Sequence, residues 1–105
     1  MTTEEFLVKL GVDPSHVGFD YIVDAVSLLA IEPHAAMMWV YGEVARAHGT
    51  TAACVERAIR YAVLSVLNRQ GAEWCGKLLG QMPDLNGGYN NSRFLALVTR
   101  KTALH

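Results

Sequence analysis

Charge is scarce in this chain of 105 residues: 18% are Asp, Glu, Lys or Arg, against 51% hydrophobic. That balance excludes a solvated, disordered tail, and the length suffices for one domain, residues 1–105, to bury a core without staples. Cysteine is scarcer still. Cys54 and Cys75 have neither the paired spacing of a zinc site nor the density of a disulfide scaffold, which points to a reduced, cytoplasmic home. Long apolar runs are missing: the run around Ile22 to Ile31 is broken by Asp24 and closed by Glu32-Pro33, short of the 18 or so residues a membrane span needs. No apolar N-terminal stretch follows basic residues, so no secretory signal is read. The signatures of catalysis are absent too. His16, His34, His48 and His105 are scattered, no serine occupies a nucleophile elbow, no glycine-rich loop follows a strand, and no carboxylates pair near a histidine at metal-ligand spacing. An enzyme is not expected, nor a cofactor or metal.

What is present is helical periodicity throughout, predicting an all-α, compact helical domain of about six to seven helices. Thr3 reads as the cap of a short helix through Leu10, with Glu4 and Glu5 at its positive end and Gly11 as its stop. Asp13-Pro14-Ser15 reads as a turn. A helix from about Phe19 to Ile31 would point Phe19, Ile22, Val23, Val26, Leu29 and Ala30 inward. Pro33 is expected to open another short helix through about Val40, with Met37, Met38 and Trp39 as core. Further on, a helix over Ala72 to Leu79, with Cys75 as core packing, precedes the loop Gln81 to Asn91, and Ser92 to Thr102 closes the chain on Phe94, Leu97 and Val98.

The most informative stretch is Tyr41 to Arg60, YGEVARAHGTTAACVERAIR, which reads as a helix-turn-helix. Ala45 is small enough for two helices to cross closely, and four residues later Gly49 tolerates the positive φ of a short turn. Val44 and Ala45 give the first helix its buried side; Val55, Ile59, Ala62, Val63 and Val66 fall on one stripe of the second. Thr50 or Thr51 is a natural N-cap for that second helix, the recognition helix, spanning about 51–69. At about 100° per residue, the face opposite the stripe carries Ala53, Arg57, Arg60 and Leu64, with Glu56 on its flank. Arginine presents a planar fork of donors that matches guanine O6 and N7 in the major groove, and small residues such as Ala52 and Ala53 let the helix head approach the bases. The same pattern also describes a plain solvated helix face.

Residues from about Gly18 to Lys101 resemble the C-terminal DNA-binding effector domain of the stage zero sporulation protein A family, the sporulation response regulators of endospore-forming bacteria. The densest likeness is TTAACVERAIRYA, Thr50 to Ala62, flanked by GFDYIVDAVSL from Gly18 and NSRFLALVTRK from Asn91. The resemblance implies base or phosphate contacts by Glu56, Arg57 and Arg60, with Thr51, Ala53 and Tyr61 completing the face. It also implies that Asn91 and Ser92, opening the last helix, lie near the DNA backbone, as suits a helix N-terminus. Two residues depart from the family pattern: Cys54 stands where an arginine is usual, and Tyr61 where a histidine is. The family's phosphoacceptor receiver, with its alternating strands and helices, has no counterpart here, which implies a stand-alone regulator or an excised domain.

The implied partner is double-stranded DNA, bound as a homodimer on tandem sites. Against it stand a net charge of −1 and an isoelectric point near 6.4. Yet the charge is polarised: Glu4, Glu5, Asp13, Asp20, Asp24 and Glu32 lie in the first third, while Arg46, Arg57, Arg60, Arg69, Arg93, Arg100 and Lys101 follow. Cys54, the exposed-side Leu64 and the acidic balance favour a rival, a protein-interaction adaptor or antagonist built on the same fold with a degraded DNA-reading face and a protein partner.

Overall fold

The computed structural model describes residues 1–80 and 90–102. Among these described residues six helices follow in order: α1 Thr3–Leu10, α2 Val17–Ile31, α3 Met37–His48, α4 Ala52–Gln70, α5 Ala72–Leu79 and α6 Asn91–Thr102. No strand occurs among the described residues, so the domain is all-α. The expected loop over Gln81 to Asn91 lies outside the described residues, apart from its last two.

The longest helix, α4, is the hub. Its stripe of Val55, Ile59, Ala62, Val63, Val66 and Leu67 is buried, and α2 and α3 pack most extensively against it. α2 contributes Phe19, Ile22, Ala25, Val26 and Leu29, and α6 adds Phe94, Leu95, Leu97 and Val98 from its other flank. Burying such side chains is worth about 1.5 to 3 kcal/mol each before entropy is counted, so this shared core holds α4 in place. The α2·α4 crossing is close at one point: a Cβ added to Gly18 would sit 2.6 Å from the main-chain oxygen of Ala58. Cys75 is 1% exposed, as core packing requires.

The end of α1 is pinned from two sides. Arg69 Nη2 donates to the Gly11 carbonyl at 2.9 Å, and Trp74 Nε1 to the Leu10 carbonyl at 3.2 Å. These bonds quench the orphan carbonyls at a helix terminus and tie α1 to α4 and α5.

Four local expectations are corrected. Thr2, not Thr3, caps α1: its hydroxyl accepts from the Glu5 amide while Glu5 Oε1 accepts from the Thr2 amide, a complete capping box. α2 starts two residues before Phe19, at Val17. Pro33 does not open a helix; it lies in a turn closed by the Ala35 amide donating to the Glu32 carbonyl, and one continuous helix, α3, runs from Met37 through the first half of the helix-turn-helix. The phase of α3 is set by Val40, Tyr41, Val44 and Ala45, which leaves Met38 73% and Trp39 46% exposed and only Met37 packed against the core.

Candidate nucleic-acid interface

The turn between α3 and α4 is three residues long, Gly49-Thr50-Thr51. Gly49 adopts φ 67°, ψ 36°, the left-handed conformation that costs glycine least, and the Thr50 amide reaches back to the Ala45 carbonyl at 3.0 Å. Thr51 then caps α4, its hydroxyl accepting from the Cys54 amide at 3.2 Å. With Ala45 4% and Val44 1% exposed, the two helices share the core as the sequence implies.

On the outer face of α4 the fold brings together Thr51, Ala53, Arg57, Arg60 and Tyr61, all exposed, with Glu56 partly covered beside them. Arg60 Nη1 pairs with Glu56 Oε2 at 3.2 Å across one helical turn. Arg57 Nη2 lies 3.7 Å from Cys54 Sγ. Hydrogen bonds from Thr51, Thr50 and Arg57 lower the Cys54 thiol to about 7, so a fraction of it is thiolate at neutral pH. Tyr61 is 67% exposed, its ring 6.5 Å from that of His16 at the head of α2. Leu64, 40% exposed, extends the same face toward the C-terminal half of α4.

The opening of α6 divides the remaining two residues. Ser92 is exposed, whereas Asn91 is 3% exposed and turned inward. The Asn91 amide donates to the Glu56 carbonyl at 3.0 Å and approaches Glu56 Oε2 at 3.4 Å. It also bonds the phenol of Tyr41 on α3, whose pKa burial raises and this bond partly restores. The cap of α6 is Asn90, whose Oδ1 accepts from the Arg93 amide at 2.8 Å. Sequence reasoning missed that role. The Asn90-Asn91-Ser92 run offers three residues able to cap, and local sequence does not choose among them.

His48, at the end of α3, is exposed but not idle: Nε2 lies against Asp24 Oδ2 of α2, and its ring stands edge-on to Tyr21 with centroids 5.0 Å apart. Among the described residues no cluster of His, Cys, Asp and Glu could hold a metal ion, and no helix is long and apolar enough to cross a membrane.

A short turn, a capped helix on a shared core and two outward arginines form the arrangement with which helix-turn-helix proteins enter a major groove. A family model described as sporulation initiation factor Spo0A C terminal matches residues 3–102, nearly the whole chain. The chain therefore belongs to the Spo0A C-terminal family, whose members are DNA-binding effector domains that regulate transcription in sporulation.

Proposed function

We propose that the protein is a sequence-specific, double-stranded DNA-binding transcriptional regulator that lays α4 in the major groove. The observation carrying this reading is the pair Arg57 and Arg60, exposed one turn apart on a helix capped by Thr51 and presented by the Gly49 turn. Arg57 and Arg60 address guanine edges or phosphates, Glu56 accepts from a cytosine amine or orients Arg60, and Ala53 lets the helix head approach the base pairs. Thr51, Tyr61 and, from the start of α6, Ser92 serve as contacts to the backbone. Two copies bind adjacent boxes as a homodimer formed on DNA.

The test is fluorescence anisotropy with a labelled duplex carrying the sporulation-type box, beside a scrambled duplex, at two salt concentrations. Box-selective binding that weakens with salt is expected. Equal weak binding to both would overturn the reading, and a single copy on a tandem site at saturation would remove the dimer. A second reading, a protein-interaction adaptor, draws on Tyr61 and Leu64, large apolar groups exposed on the same face. A partner complex that survives alanine at both Arg57 and Arg60 would favour it.

A further inference from the structure

Asn91 is a buried amide beside the reading helix. Burying an amide costs desolvation that an aliphatic side chain of similar size would not incur, so its hydrogen bonds must do something that packing alone cannot. One meets the Tyr41 phenol, and two converge on Glu56. In α4 the Glu56 carbonyl already accepts from the Arg60 amide, four residues on, and its second lone pair takes the Asn91 Nδ2 bond at 3.0 Å. The same amide lies 3.4 Å from Glu56 Oε2, the oxygen that pairs with Arg60 Nη1 at 3.2 Å. One side chain from α6 thus grips both the backbone turn that carries Arg60 and the carboxylate that holds the Arg60 guanidinium. Arg57, by contrast, is met only by Cys54 Sγ among the contacts of its side chain described above.

We propose that Asn91 is a positioning residue of the DNA-reading face: through Glu56 it fixes the direction of the Arg60 guanidinium, and so contributes to base selectivity without touching DNA. This rests on the assignment of α4 as the reading helix. A guanidinium fork discriminates bases only when its plane is aimed at the acceptor pair, and a side chain held in that direction before binding loses less freedom on docking. Arg60 is the preset reader and Arg57 the adaptable contact.

The experiment compares the protein with Asn91→Leu, which keeps the branched shape and removes the hydrogen bonds to Glu56 and to Tyr41, and Glu56→Gln, which leaves Asn91 in place and removes the charge pairing with Arg60. The second variant alters a partly exposed side chain and reads the same link should the first fail to fold. Two signals are followed. In the free protein, the heteronuclear NOE of the Arg60 Nε–Hε group is expected to fall to the level of Arg57 in both variants. For Asn91→Leu, on DNA selected from a random pool by the unaltered protein, the ratio of selected to scrambled affinity is expected to drop about tenfold while scrambled-duplex affinity stays constant; Glu56→Gln, a change on the reading face itself, is followed by the Arg60 signal alone. A purely structural role would lower both affinities together and spare their ratio; that result, or an Arg60 signal indifferent to both changes, overturns the proposal. An unaltered protein that selects no sequence overturns the DNA reading and the positioning role with it. The two failures are distinguishable because the Arg60 signal is recorded without DNA.

Discussion

Arg57 and Arg60 differ in what holds them, and the difference has consequences. Replacing either with alanine should reduce box-selective affinity, each by about 1 to 3 kcal/mol if it makes a bidentate base contact, with the thermal melt unchanged because both side chains are exposed. Anisotropy titrations beside circular-dichroism melts check this. Lysine at position 60 should not restore selectivity, since a point charge lacks the fork. Cys54 yields a second prediction at this scale. Its thiol is lowered to about 7, so alkylation by iodoacetamide, followed by peptide mass mapping, should reach half its limiting rate near that pH, while buried Cys75, pushed upward by desolvation, stays unmodified in the folded protein. The sign for stability follows from the same shift. Folding favours the Cys54 thiolate, so its contribution is present above the ordinary value of 9.0 and disappears as pH falls through about 7; urea melts should show stability rising over that interval relative to Cys54→Ser.

At the scale of elements, the turn and the caps carry the energetics. Gly49→Ala forces a Cβ into a left-handed conformation and should cost about 1 kcal/mol, and Thr51→Ala should cost about the same by orphaning the Cys54 amide. Gly18→Ala should cost more, about 1 to 3 kcal/mol, because the obstructing Ala58 oxygen is main chain and cannot rotate away. Denaturant midpoints rank the three. These elements also show how far local sequence carries. α4, the Gly49 turn and α5 follow from apolar spacing and flanking glycines, signals that act within a few residues. The start of α3 does not: Pro33 suits a first helical position, but the packing of Val40, Tyr41 and Val44 against the core sets the helix, and with it the exposure of Met38 and Trp39. Likewise the outward arginines are legible from periodicity alone, whereas the inward turn of Asn91 depends on Glu56, thirty-five positions away, and no local pattern encodes it.

Across the whole molecule, charge and its placement decide how the domain meets a polyanion. The net charge is −1, yet six of the ten acids lie in the first third of the sequence and eight of the nine bases from Arg46 onward. With few cations aimed at phosphates, binding should show a shallow salt dependence, a slope of log affinity against log salt of about −2 to −4, far from that of a strongly basic DNA binder. Anisotropy across a sodium chloride series measures it. The pinning of α1 has an optical corollary. Trp74, its indole N–H committed to the Leu10 carbonyl, and Trp39, half-open to solvent on α3, are the two tryptophans of the chain, so its intrinsic fluorescence has two sources in unlike surroundings. With Trp39 replaced by phenylalanine, the emission left over becomes a label-free record of whether the first helix is docked, readable during any titration of the intact protein.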